Sequence, residues 1–229
     1  MINEFIFTIH CFVCAAGSVV ALLLGPYALC SIIAFQCVLS NLLVLKQAVI
    51  FGFTATCADP FTIGATIGLN LLQEFYGKII TKKAIVITFF LLLFYTIITY
   101  VHVCYLPASV DIMHNHYAAL FATTPRIACA SLGTYTVVQW LDYSIYGFLK
   151  YRLHNRFMYA RTFVSLVICQ AIDTILFTFL GLGDIVEHPW DVIAVSYTIK
   201  LVAAVFGIVF VKLLSIIAFR FKNVLHIKI

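Results

Sequence analysis

Charge is what this sequence has least of. Only 10% of its 229 residues are Asp, Glu, Lys or Arg, against 64% apolar residues, and the mean hydropathy is +1.09. A soluble domain carries about a quarter charged residues, so no sizeable soluble domain fits in this chain. Prolines are also few, and all five (Pro26, Pro60, Pro107, Pro125 and Pro189) stand at the edges of apolar runs, where helices begin or end. No Gly-x-x-x-x-Gly-Lys-Ser/Thr loop is present, which excludes nucleotide hydrolysis by the chain itself. The apolar run 5–24 lacks a basic flank before it and a cleavage site after it, so it reads as a retained span rather than a signal peptide. The net charge of +5 comes from basic residues split among short loops without a stacking platform, a pattern that does not suit nucleic acid.

What is there is length of apolar sequence. A hydrocarbon core of about 30 Å takes roughly 20 residues per helical span, and the chain holds six or seven such runs. They are expected at 5–24, 27–45, 60–77, 83–106, 126–149, 158–182 and 191–219. The fold class is therefore all-α, a polytopic transmembrane helical bundle forming one integral membrane domain over 1–229. The third run is the most polar, with Gly64, Gly68, Asn70, Gln73 and Glu74, and the stretch FGFTATCADPF before it suits a re-entrant or broken segment. Seven of the eight cysteines (Cys11, Cys14, Cys30, Cys37, Cys104, Cys129, Cys169) lie in apolar runs and read as small buried hydrophobes. Cys11 and Cys14 match Cys-x-x-Cys but have no thioredoxin-like context, so neither redox chemistry nor a cofactor is expected.

Basic residues set an orientation, because short loops rich in Lys and Arg stay cytoplasmic. Lys78, Lys82 and Lys83 form one cluster, Lys150, Arg152, Arg156 and Arg161 a second, and Arg220, Lys222 and Lys228 a third; the spans above put all three on one side. The acidic loop GDIVEHPWD falls opposite, and the C-terminus is expected to be cytoplasmic.

Against this background, polar residues inside the spans stand out. An acidic residue near a helix centre costs about 2.5–3.5 kcal/mol on insertion scales, so it tends to face a partner, a cavity or a substrate path. VVQWLDYSIYG carries Gln139 and Asp142, and VICQAIDTILFTFLG carries Gln170 and Asp173, the same Gln-x-x-Asp spacing in consecutive spans. A spacing of three puts each pair on one helix face, and its recurrence in antiparallel spans is compatible with an inverted repeat. Arg126 and Ser131 precede the first pair, Arg161 and Ser165 the second, and Lys200 lies at a similar depth in the last span. The competing reading makes Asp142, Asp173 and Lys200 a self-neutralising network that orders helix packing, with the glutamines as interhelical hydrogen-bond donors and acceptors.

Three other patterns carry less. Gly17, Ala21 and Gly25 form a small-residue stripe suited to close helix packing, internal or with another subunit. GLGD (Gly181 to Asp184) matches the pattern of membrane aspartyl proteases, but Asp142 has Tyr143 after it rather than before it, so the partner motif is missing. DIMHNHY offers Asp111, His114 and His116, which read as a solvated loop rather than a metal site, and no metal is expected.

The stretch NLLQEFYGK, followed in order by RIACASLGTYTVVQWLD, RTFVSLVICQAIDTILF and YTIKLVAAVFGIVF, resembles the queuosine-precursor transporter family, also called the vitamin-uptake-transporter family, over about residues 40 to 215. The resemblance implies an inner-membrane carrier of about six spans, not an enzyme, importing a 7-deazaguanine (preQ0, preQ1 or queuine) for tRNA modification. By matching positions, the family's polar signature falls on Glu74, Tyr76, Gly77, Arg126, Ser131, Gln139, Asp142, Ser165, Gln170, Asp173 and Lys200. Asn70 stands where relatives commonly carry an acid, and the run 5–24 looks additional to the family core. The expected substrate contacts are Glu74, Arg126, Gln139, Asp142, Gln170, Asp173 and Lys200, supported by Asn70, Tyr76, Ser131 and Ser165. A carboxylate accepts two donors of a guanine-like edge side by side, and an amide both donates and accepts; Asp142, Asp173 and Glu74 are equal candidates for that edge. Trp140 and Tyr143 flank the first pair as stacking candidates. Expected partners are the base, the bilayer and, optionally, a second copy in a homodimer. The alternatives are a substrate-binding subunit energised by separate ATPases, and a structural membrane-assembly protein.

Overall fold

The computed structural model describes residues 2–121, 125–183 and 188–225, with the side chains of 125, 126 and 217–225 excepted. Eight helices are described: α1 (Ile2–Leu24), α2 (Pro26–Leu42), α3 (Asp59–Tyr76), α4 (Lys78–Val103), α5 (His114–Phe121), α6 (Pro125–Arg152), α7 (Met158–Leu182) and α8 (Pro189–Leu225). All seven expected spans are helices. By length and composition α1, α4, α7 and the part Pro189–Ile216 of α8 can cross a membrane, and α2 is a shorter apolar helix. Helices α3 and α6 are more polar, carrying Asn70 and Glu74 on the one and Gln139 and Asp142 on the other.

The chain turns at residues free to adopt unusual backbone. Gly77 takes φ 83° between α3 and α4, a conformation that would strain any side chain, and so lets one helix stop and the next start without a loop. Side-chain contacts then fix which helix ends lie together. The Tyr76 hydroxyl donates to Leu22 O at 3.0 Å, and Glu74 meets both Lys150 and Arg161. The α1–α2, α3–α4 and α6–α7 joints therefore share one end, which also carries Lys78, Lys82 and Lys83; this is called the basic end. Arg220, Lys222 and Lys228 lie outside the described side chains. At the far end Phe179 of α7 packs edge-on to Trp190 of α8, their ring centroids 5.5 Å apart.

The bundle is organised around α3, thirteen of whose eighteen residues are buried, against α1, α2, α4, α6, α7 and α8. Gly64 and Gly68 make that crowding possible. A Cβ at Gly64 would lie 2.4 Å from Gln36 Oε1 and 2.9 Å from Cys14 Cβ, and one at Gly68 2.9 Å from Ile33 Cγ1. Of the small-residue stripe, Gly17 faces Ile32 of α2 and Ala21 is buried, whereas Gly25 lies past the end of α1 with nothing within 4 Å of a Cβ. The cysteine reading holds for Cys11, Cys14, Cys37 and Cys169 but not for Cys104 and Cys129, which are exposed at a helix end and on an outward helix face.

Helix lengths expose a feature that the span boundaries hide. At about 1.5 Å per residue α2 and α3 are roughly 26 and 27 Å long, whereas α4 and α7 are roughly 39 and 38 Å. Since all start or finish at the basic end, α2 and α3 stop about 12 Å short of the far end. A β-hairpin, β1 (Gln47–Ile50) paired antiparallel with β2 (Phe53–Thr56), fills that depth. Its turn residues Phe51 and Gly52 both have positive φ, as a two-residue hairpin requires. Non-helical backbone at this depth needs internal partners. The N-terminus of α1 supplies two: Asn3 Nδ2 donates to Val49 O at 3.0 Å, and Glu4 Oε1 accepts from Phe51 N at 3.2 Å. Ile50 and Ala55 turn inward to the core, so the expected broken segment is this packed hairpin.

Helix α5 was not foreseen from the sequence. Asp111 Oδ1 accepts from the backbone N–H groups of Met113 and His114 at 2.9 and 3.1 Å and so caps its start. Among the described residues no three His, Cys, Asp or Glu side chains converge as a metal-binding group.

Candidate functional site

Helix α7 orders the polar interior into tiers. Counted from Arg161 at its basic end, Ser165, Gln170 and Asp173 follow at about 6, 14 and 18 Å along the axis, and each meets different partners.

The first tier is an ion cluster at the basic end. Arg161, fully buried, donates to Glu74 Oε1 at 2.9 Å; Lys150 Nζ lies 3.1 Å from Glu74 Oε2, and the Tyr146 hydroxyl donates to that oxygen at 2.9 Å. The guanidinium also lies 5.4 Å from the centre of the Tyr146 ring. Lys150 donates to Glu74 O at 2.9 Å, tying the ends of α3, α6 and α7 together. A cavity of about 700 Å³ opens beside this cluster, lined by Gln73, Lys78, Lys150, Arg152 and His154 among others, a size in the range of small-molecule sites.

The second tier centres on Asp142, 0% exposed. Ser165 of α7 donates to its Oδ1 at 2.5 Å, Asn70 of α3 and Cys169 of α7 lie beside the carboxylate, and Oδ2 has no hydrogen-bond partner. Among the described residues no Lys, Arg or His pairs with it. Asn70 of α3 stands beside it and Gln139 one turn away on α6, while Gln170 lies about 8 Å further along α7 than Ser165; both side-chain atoms of Asn70 and Gln170 and Oε1 of Gln139 make no hydrogen bond. Asn70 faces Asp142 without reaching hydrogen-bond geometry. More than nine in ten buried polar groups find a partner in folded proteins, so these unpaired atoms make the region a candidate for holding water or a ligand.

The third tier lies nearer the far end, where Lys200 Nζ of α8 meets Asp173 Oδ2 at 2.5 Å. Asp59, the first residue of α3, is 2% exposed and within electrostatic reach of both.

The single network of Asp142, Asp173 and Lys200 weighed from sequence is thus two separate arrangements. Asp173 has a cation and Asp142 has a hydroxyl. Glu74, Gln139, Asp142, Gln170, Asp173 and Lys200 all face the interior, but they are spread over three tiers rather than gathered in one. Tyr76 serves the α1–α3 contact. Ser131 is half-buried about 16 Å along α6 from Asp142 and does not join it. Arg126 lies outside the described side chains. Trp140 and Tyr143 pack edge-to-face against each other at 5.7 Å, under Lys82 and Lys78 respectively, and so belong to the α4–α6 contact at the basic end.

Tyr146, Lys150 and Asp59 were missed. Tyr146 and Lys150 follow Asp142 at i+4 and i+8, so helical periodicity held that signal. Asp59 was hidden by standing next to Pro60 at a span boundary.

Residues 60–214 match the family described as "Putative vitamin uptake transporter". The chain belongs to that family. A relative from Bacillus subtilis (strain 168), named "Probable queuosine precursor transporter", is 32% identical over 165 residues, which span 70% of this chain and 69% of the relative. No solved structure matches the chain. The matched region of this family member runs from the second residue of α3 to near the end of the described α8 side chains, so it contains all three tiers apart from Asp59. With its apolar helices, membership makes the chain a multi-pass membrane protein of a transporter family acting on small molecules.

Proposed function

We propose that this protein carries a queuosine precursor, a 7-deazaguanine base, across the bacterial inner membrane, with the basic end and the C-terminus cytoplasmic. The observation that carries the reading is the Asp142 tier: a buried carboxylate with one free oxygen and no cation, surrounded by amides with free atoms. A guanine-like edge presents adjacent N–H donors with a carbonyl beside them; Asp142 Oδ2 accepts a donor, while Gln170, Asn70 or Gln139 satisfies the carbonyl and the remaining donors. Sequence left Asp142, Asp173 and Glu74 equal for this role. Asp173 is held by Lys200, and Glu74 by Arg161, Lys150 and Tyr146, so Asp142 is preferred. The Bacillus subtilis relative's name supports the substrate class, and the clustering of Lys and Arg at one end supports the orientation. On this reading the Glu74 cluster closes the basic end above the 700 Å³ vestibule, and opening it releases the base.

The test is restoration of queuosine in tRNA in bacteria lacking both their own precursor transporter and the synthetic pathway, supplied separately with nanomolar preQ0, preQ1 or queuine. Rescue by one of these, lost in Asp142→Ala at normal membrane levels, is the expected result. No rescue by any base from a well-inserted protein refutes it.

A further inference from the structure

Asp59 has no part in the binding tier described above, yet it is among the most costly residues in the molecule. It is a carboxylate, 2% exposed, inside a bundle of membrane-spanning helices, and its Oδ2 has no hydrogen-bond partner. It stands at this depth because α3 begins about 12 Å below the far end, the hairpin occupying the space above. The packing of α3 on α8 gives the same depth independently. Gly207 of α8 faces Ile67 of α3, and counting back eight residues along these parallel helices sets Asp59 level with residue 199, beside Lys200.

The groups around it can be counted. Lys200 comes from α8, Asp173 from α7 and Cys11 from α1, and His10 of α1 packs on Phe61 two residues along α3, with ring centroids 4.3 Å apart. From α2, uncharged Ser40 bonds Thr62. Lys200 contacts Asp173 directly, and Asp59 lies within electrostatic reach of both without an ion-pair contact of its own, so two carboxylates stand against one ammonium. The side chains alone carry one net negative charge in a low-dielectric surrounding; the N-terminus of α3 offsets part of it, and one proton cancels the side-chain charge. Such an uncompensated charge is expensive to bury. Among the described residues no three His, Cys, Asp or Glu side chains converge as a transition metal's ligands do, and a proton is the cation that a single carboxylate takes unaided.

We infer that Asp59, Asp173 and Lys200 form a proton-binding site, distinct from the Asp142 tier, that takes up one proton on the Asp59–Asp173 carboxylate pair. The inference rests on the transport reading for its consequence, which is that base uptake is driven by a proton gradient through this site. Helix α7 joins the two functions mechanically. It contributes Asp173 to the proton site, Ser165 to the Asp142 tier and Arg161 to the basic-end cluster, so a shift of α7 on protonation reaches all three.

The experiment uses the full chain in detergent and in proteoliposomes. Infrared spectra recorded across pH should show the carbonyl band of a protonated carboxylic acid that disappears in Asp59→Asn and persists in Asp142→Asn. Asparagine matches Asp59 in shape, and Asp59→Glu, which keeps the carboxyl group, should keep the band and so controls for misfolding. In proteoliposomes Asp59→Asn should retain exchange of labelled base between the two sides while accumulation under an imposed pH gradient falls on the order of tenfold or more. A band unchanged in Asp59→Asn, accumulation driven by sodium instead, or loss of exchange together with accumulation in a folded Asp59→Asn protein would each overturn the proton site. An Asp59-dependent band in a wild-type protein that moves none of the three bases leaves the proton site standing and sinks the substrate reading. Exchange of a base without the band does the reverse.

Discussion

Replacing the residues of the basic-end cluster one at a time separates charge stranding from simple contact loss. Arg161 is fully buried and bonds Glu74 at 2.9 Å, while the Lys150 side chain is 25% exposed and lies 3.1 Å from the same carboxylate. Removing one partner of a buried ion pair costs about 3–5 kcal/mol when the other charge is left uncompensated. Glu74→Gln does that to Arg161, whose Nε and NH1 already lack partners, so it should lose the full amount. Arg161→Met leaves Glu74 with Lys150 and Tyr146 and removes two unsatisfied nitrogens, so the loss should be smaller, about 1–3 kcal/mol. Lys150→Met removes a part-exposed charge and should cost about 1 kcal/mol or less. The double variant Glu74→Gln/Arg161→Met should be less damaged than the sum of its parts by about 1–3 kcal/mol. The assay is reversible unfolding in mixed detergent micelles, read by tryptophan fluorescence, with each variant compared at the same detergent ratio. Lys150→Met as the worst single variant, or strict additivity in the double, would refute the assignment of Arg161 as the principal partner of Glu74.

Other perturbations follow from the same geometry. Gly64→Ala should destabilise by about 1–3 kcal/mol through overpacking, since its Cβ would strike Gln36 and Cys14. Gly133→Ala, where nothing lies within 4 Å, should be neutral or mildly stabilising, and melting temperatures in detergent compare the two. Lys200→Met should leave Asp173 and Asp59 without a cation and lower stability more than Lys200→Met/Asp173→Leu does, the double replacement recovering part of the loss in the same unfolding assay.

The helical bundle was legible because its signal is compositional: apolar runs long enough to span, bounded by proline and glycine, leave little choice of secondary structure. The hairpin at 47–56 was not, since Gln47–Thr56 has no strict apolar alternation and its strands take their order from the N-terminus of α1, more than forty residues away. Burial of Gln139, Asp142 and Gln170 was legible from their surroundings, while Asp173 is only partly buried. Their partners were not, because whether Asp142 meets Lys200 or Ser165 depends on the depth and rotation of three helices, which one-dimensional spacing does not encode. Asp59 shows the same limit in another form. Beside Pro60 it looks like an ordinary helix start near the membrane surface, and only the shortness of α2 and α3 carries that start into the interior.

The most direct test of the central claim is equilibrium binding of the rescuing 7-deazaguanine to purified wild-type and Asp142→Asn protein, with thermal stability measured on the same samples. A charge-assisted hydrogen bond contributes about 1.5–3 kcal/mol, so the affinity should fall by roughly 10- to 150-fold in Asp142→Asn. Stability should hold or rise, because an uncompensated buried charge has been removed. Wild-type affinity in a folded Asp142→Asn protein would contradict the account, since the free carboxylate oxygen would then have no role in holding the base.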